Sequence, residues 1–137
     1  MSALGELLHR PPVFLRRVLL ADAAASGATG LLAIVGADIH DGLLNLPAAL
    51  LLGAGLVLVP YVAFVAYTAA RPSVSRAAVW TIIVANALWA AASVLLLASG
   101  WVAPNALGYL FVLAQAAVVV VLAELQYVGL RRPLAAA

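Results

Sequence analysis

The stretch "ALGYLFVLAQAAVVVVLAELQYVGL", residues 106–130, contains a single charged side chain, Glu124, in 25 residues. A helix of this length rises by about 37 Å, enough to cross the hydrocarbon core of a bilayer, which is about 30 Å thick. Three further apolar stretches of similar length cover residues 18–37, 48–70 and 77–99. The sequence therefore predicts an all-α membrane protein with four transmembrane helices.

Composition and spacing support one membrane domain. Of the 137 residues, 67% are hydrophobic and only 9% are charged, whereas a soluble domain is about half apolar and a quarter charged. The breaks between the stretches are short and contain turn-forming residues: "DIHDGLLNLP", "RPSVSR" and "GWVAPN". We therefore expect a single four-helix domain over residues 1–137, with the helices antiparallel and a short segment at the membrane surface over residues 2–10.

Several functional classes are excluded or disfavoured. The chain has no cysteine, which excludes disulfides, thiol catalysis and thiolate metal sites. Its net charge of +2 comes from scattered arginines, so no basic surface for nucleic acid is predicted. His40 lies in a short "DIHD" break, where a solvated loop is favoured over a metal site. No catalytic or cofactor-binding motif is present, and the sequence predicts neither an enzyme nor a bound cofactor.

The arginines predict an orientation. All seven basic residues are arginines, and they precede the first stretch, separate the second from the third, or follow the fourth. With four spans, these three places are on one side of the membrane, and the opposite side has none. By the positive-inside rule, both termini are expected in the cytoplasm. A bacterial inner membrane is the expected location.

A weak internal similarity links the first and third stretches. A shift of 64 residues aligns "ADAAASGATGLLAIVG" with "ANALWAAASVLLLASG", pairing Asp22 with Asn86. This similarity suggests two duplicated helical hairpins with parallel topology. Alanine-rich and leucine-rich helices also match by chance.

Polar residues inside the spans are the candidate site. Asp22 and Ser26 share one face of the first helix, together with small residues that allow close helix packing. We expect this face to meet Asn86 of the third helix. By the helical rise, Glu124 and Tyr67 lie at a depth similar to that of Asp22. The predicted polar cluster is therefore Asp22, Ser26, Tyr67, Asn86 and Glu124.

Two roles remain open for this cluster. Glu124 either accepts hydrogen bonds that hold the helices together, or it forms a proton or ligand site with Asp22, because two close carboxylates would hold a proton between them. The leading hypothesis is a non-enzymatic accessory or interaction protein, with lipid, a second copy or another membrane protein as its partner. The alternative is a small homo-oligomeric, proton-coupled transporter or channel that uses Asp22 and Glu124.

Overall fold

The structure, a computed structural model, describes residues 13–131. The described residues form helices, without strands, in this order: α1 Val13–Val35, α2 Ala37–Leu44, α3 Ala48–Ala70, α4 Arg76–Ser99 and α5 Ala106–Arg131. The prediction of four long helices is confirmed, since α1, α3, α4 and α5 are each long and apolar enough to cross a membrane. The surface segment expected over residues 2–10 lies outside the described residues.

Helix α1 is already formed at Val13, the first described residue, five residues before the position predicted from hydropathy. The early turns are stabilised by Arg16, whose guanidinium donates hydrogen bonds to the carbonyl oxygens of Ala69 and Arg71 at the end of α3. These carbonyls lack partners inside their own helix. The sequence placed Arg16 outside the first span, but its side chain joins α1 to α3.

Helix α2 is a correction to the sequence prediction, which had residues 38–47 as a turn. The backbone of Ala37–Leu44 is helical and ends at Asn45, which adopts a left-handed conformation with φ 54°. Leu44 is buried in a cluster with Leu46, Leu51 and Val112. The burial of Leu44 favours the helix. The sequence did not predict it because polar residues in the same segment indicate a turn.

The other helix ends follow local sequence signals. The hydroxyl of Ser75 accepts a hydrogen bond from the Ala78 amide and caps α4, while Gly100 ends the helix with φ 80°. The side chain of Asn105 accepts from the Gly108 amide at 2.8 Å and caps α5. These caps account for the close agreement between the predicted and observed bounds of α4 and α5.

The helices pack mainly as two pairs, α1 with α3 and α4 with α5, while α1 also contacts α5. Gly30 and Gly55 bring α1 and α3 together, and a Cβ atom on Gly55 would lie 2.9 Å from the Gly30 carbonyl oxygen. Such close backbone approach is how helices associate in lipid. Contact between α3 and α4 is sparse, which leaves a groove between these two helices.

Apolar clusters lie at both ends of the helices. One contains Leu15, Leu19, Val65, Ile82 and Leu130, near the arginine contacts, and we call this the arginine end. The other surrounds α2, and we call it the α2 end. Polar side chains of all four long helices meet between the two clusters.

Candidate functional site: a buried polar network and an adjoining cavity

The carboxylate of Asp22 is the centre of the polar network and is fully buried. Its Oδ1 accepts a hydrogen bond of 2.9 Å from the Ser26 hydroxyl. Its Oδ2 accepts from the Tyr61 hydroxyl at 2.7 Å, from Asn86 Nδ2 at 3.0 Å and from Gln126 Nε2 at 2.7 Å. Four uncharged donors thus satisfy a carboxylate that water does not reach.

The donors are also connected to each other. Asn86 Nδ2 donates to Gln126 Oε1 at 3.1 Å, and the Tyr61 hydroxyl lies 2.9 Å from Asn86 Oδ1. The single hydroxyl hydrogen of Tyr61 therefore lies between two acceptors. Because Asp22, Tyr61, Asn86 and Gln126 belong to α1, α3, α4 and α5 respectively, the network joins every long helix.

Three of the predicted site residues meet as expected. Asp22, Ser26 and Asn86 are all buried and hydrogen-bonded within one network. The sequence indicated this because each is polar in a span where polar groups must find partners. Their meeting shows that the polar faces of α1 and α4 point at each other.

Tyr67 and Glu124 do not join the network, so the expected cluster of five residues is wrong. Tyr67 is 61% exposed, and its hydroxyl accepts a hydrogen bond from Arg71 at 3.2 Å. Glu124 is exposed, and no hydrogen bond or ion pair joins it to another residue of the described range 13–131.

The physical reason lies in the choice of face on α5. This helix turns Gln126, which is fully buried, towards Asp22, and Glu124 then points outwards. A neutral amide can donate to Asp22, whereas a second carboxylate would repel it. Glu124 lies seven residues before Arg131, about 10 Å along the helix, so its side chain can extend towards the arginine end.

Sequence reasoning missed Tyr61 and Gln126. Gln126 had a usable signal, since it lies eleven residues, about three helical turns, after Gln115 and so shares its face. Two amides on one face of an otherwise apolar helix indicate a buried side. Tyr61 had no such signal, because a tyrosine in a span is as compatible with an anchor at the membrane surface.

A second polar cluster joins α4 and α5 nearer the α2 end. Trp89 Nε1 donates to Gln115 Oε1 at 2.7 Å. Gln115 Nε2 donates to the Ser93 hydroxyl at 3.0 Å and to the Val112 carbonyl oxygen at 2.7 Å. The amide of Gln115 thus faces the helix pair, and its two N–H hydrogens are both in use.

A cavity of about 650 Å³ lies between the two polar clusters and the α2 end. Ser26, Tyr61 and Asn86 of the network form part of its wall, as do Trp89 and Gln115. Leu32, Leu43 and Leu110 line it as well and are more than half exposed, so the cavity reaches the outer surface of the helices. Its volume is in the range of sites for small organic ligands.

The polar atoms of this wall have little donor capacity left. The Ser26 hydroxyl donates to Asp22, and the Thr29 hydroxyl donates to the Ala25 carbonyl oxygen at 2.8 Å. Both N–H hydrogens of Asn86 Nδ2 and the indole N–H of Trp89 are also in use. What remains is acceptor capacity, on the hydroxyl oxygens of Ser26, Thr29 and Tyr61 and on the amide oxygens of Asn86 and Gln115.

Among the side chains that the structure describes, those of residues 13–37 and 42–131, no group of three or more His, Asp or Glu residues is placed to hold a metal ion. A comparison with protein-family models found no match, and searches of curated proteins and of solved structures found no significant similarity. The proposed function therefore rests on the cavity and the polar side chains of its wall.

Proposed function

We propose that this chain is a non-enzymatic, multi-pass membrane protein that binds a lipophilic molecule between its four antiparallel helices. The cavity of about 650 Å³ carries this proposal, because its wall is mostly apolar apart from a few polar side chains and it is open at the helix surface. A ligand can enter it sideways from the hydrocarbon without crossing water. Apolar pockets with a few convergent polar groups are typical ligand sites.

The wall also indicates the chemistry of the ligand head. Because the donors of the wall are committed and the Ser26 and Thr29 oxygens retain acceptor capacity, a ligand that donates a hydrogen bond fits better than one that only accepts. An uncharged head is favoured, since a charge in this setting would need an opposite charge. The class is therefore a lipophilic alcohol or phenol.

Binding can be tested with a long-chain alcohol that carries a photoreactive diazirine, in protein reconstituted into lipid nanodiscs. We expect one adduct per chain by intact mass, mapped to the cavity wall, and much weaker labelling by the methyl ether of the same alcohol, which cannot donate. Ala114→Trp should abolish the adduct because Ala114 lines the cavity. Ala117→Trp is the matched control, three residues further along the same helix at an exposed position outside that wall. Equal labelling of both variants would contradict the proposal.

Orientation is part of the same proposal. All seven arginines precede the predicted first span at residue 18, lie between the predicted second and third spans, or follow the predicted fourth span at residue 130. This distribution supports cytoplasmic termini in a bacterial inner membrane. The chain has no cysteine, so Asp41→Cys and Ser75→Cys each provide a unique label site. On intact cells, an impermeant maleimide should label position 41 and not position 75. The reverse pattern would overturn this orientation.

Proton-coupled transport through a pair formed by Asp22 and Glu124 has less support. Glu124 is exposed on α5, while Asp22 is surrounded by four uncharged donors. Contact with a second copy or another membrane protein has a specific observation in its favour, because an exposed carboxylate in an apolar span is costly without a partner. Loss of a native oligomer in Glu124→Leu, in otherwise stable protein, would reveal such a contact.

A further inference from the structure

Two pairs of hydrogen bonds repeat at a spacing of about 60 residues. At the α2 end, Asn45 Nδ2 donates to the Ala103 carbonyl oxygen, and Asn105 Nδ2 donates to the Leu43 carbonyl oxygen. The two donors, Asn45 and Asn105, are 60 positions apart, and so are the two acceptors, Leu43 and Ala103. The two bonds are therefore reciprocal, as across a two-fold axis.

The arginine end repeats in the same way. Arg16 donates to the Ala69 carbonyl oxygen near the end of α3. Arg76 donates to the Leu130 carbonyl oxygen near the end of α5, at 3.0 Å. The arginines are 60 positions apart, and the acceptors are 61 apart, so each pair of long helices has the same contact.

The buried positions follow the same spacing. In α1 and α4, buried Leu19, Asp22, Ser26 and Gly30 correspond at 60 positions to buried Val79, Ile82, Asn86 and Ala90. In α3 and α5, buried Leu51, Gly55, Val65, Thr68 and Ala69 correspond at 61 positions to Val112, Ala116, Gln126, Gly129 and Leu130. The shift of 64 residues found in the sequence differs from the structural shift of 60 by about one helical turn. The shift of 64 pairs Asp22 with Asn86, but these two residues bind each other directly and so do not occupy equivalent places in the two halves.

The groove between α3 and α4 is the counterpart of the cavity under this correspondence. The groove measures about 500 Å³ and is lined on α3 by Ala49, Leu50, Gly53, Ala54 and Val57. At 61 positions these correspond to Leu110, Phe111, Ala114, Gln115 and Val118, which line the cavity on α5. On the opposite wall, Thr29 of the cavity corresponds at 60 positions to Trp89 of the groove.

We propose that the two helix pairs are pseudo-symmetric halves, and that the groove between α3 and α4 is a second site for the same lipophilic class, narrowed by the indole of Trp89. The equivalent place in the cavity has a small threonine, whereas the larger indole of Trp89 lies between the groove and the cavity, lines both, and is held towards α5 by its bond to Gln115. The groove is accordingly the smaller space, about 500 Å³ against about 650 Å³. This inference rests on the proposed function for the identity of the ligand. It adds a second site and the residue that limits the size of that site.

The diazirine alcohol in nanodiscs tests the second site by stoichiometry. Wild-type protein should carry one adduct and Trp89→Thr two, the new one mapping to α3 near Gly53. Trp80→Thr is the matched control, because Trp80 lies outside both sites, and should carry one adduct. The double exchange Thr29→Trp with Trp89→Thr keeps the side-chain composition and should move the single adduct from α5 to α3. A single adduct that stays on α5 in both Trp89→Thr variants would overturn the inference.

A structure of Trp89→Thr separates this inference from the proposed function. A groove between α3 and α4 that is enlarged to the size of the existing cavity supports the second site even if the alcohol labels no variant. Failure to label the wild-type protein would instead contradict the proposed ligand. Collapse of α3 onto α4 in Trp89→Thr would overturn the second site whatever the wild-type protein binds.

Discussion

Asp22→Leu should lower the free energy of unfolding by about 2–4 kcal/mol and disorder the contact between the two helix pairs. The substitution leaves four buried donors, on Ser26, Tyr61, Asn86 and Gln126, without their common acceptor. Side-chain hydrogen bonds inside membrane proteins contribute about 0.6 kcal/mol on average and at most about 1.7 kcal/mol each. Stranding a buried donor costs about 1–3 kcal/mol. Unfolding in mixed micelles with increasing dodecyl sulfate measures the change.

Two controls separate a role of Asp22 in the network from a general effect of losing a carboxylate. Asp22→Asn should be mild, because the amide oxygen can replace Oδ2 and its nitrogen can donate to Ser26, whose hydroxyl can rotate. Glu124→Leu should leave the stability of the monomer unchanged, since Glu124 is exposed and outside the network. If Glu124→Leu destabilised the protein as much as Asp22→Leu, the placement of α5 would be contradicted.

Gly55→Leu should also destabilise the protein by about 2–4 kcal/mol, through overpacking between α1 and α3. A Cβ at Gly55 would lie 2.7 Å from Ile34 Cγ1 and 2.9 Å from the Gly30 carbonyl oxygen. The backbone atom cannot move away without separating the helices. Thermal unfolding in detergent, followed by circular dichroism, measures the loss.

Gly53→Leu is the matched control for this change. Gly53 lies two residues earlier in the same helix, and a Cβ there would meet no atom within 4 Å. Both variants add the same apolar volume and remove a helical glycine, so any difference between them reports the contact with α1. Equal stability of the two variants would show that the glycines do not set the distance between α1 and α3.

The polar site was predictable in part. Asp22, Ser26 and Asn86 could be selected because a polar group in a long apolar span must find a partner inside the protein. The partner of Asp22 on α5 could not be selected in the same way, since both Glu124 and Gln126 satisfy that condition. Only the rotation of α5, which buries Gln126 and exposes Glu124, decides between them.

The internal similarity between the two helix pairs was likewise only partly predictable from the sequence. Sequence comparison aligned α1 with α4 at 64 positions because small and aliphatic residues recur at nearly every helical turn, so shifts that differ by one turn match almost equally well. The reciprocal hydrogen bonds of Asn45 and Asn105 favour a shift of 60 residues. Those bonds join residues that are far apart in the chain, and no local pattern predicts them.

The sequence by itself determined that this chain has four long apolar helices, where α3, α4 and α5 begin and end, and which side of the helices has the arginines. Length, hydropathy, caps and charge are local properties, so they can be read from neighbouring residues. Only the tertiary structure decided the composition of the network, the cavity beside it and the position of Trp89 between that cavity and the groove. These features depend on the rotation and spacing of whole helices. Rotation and spacing are determined by close contacts between residues far apart in sequence, such as the contact of Gly30 with Gly55.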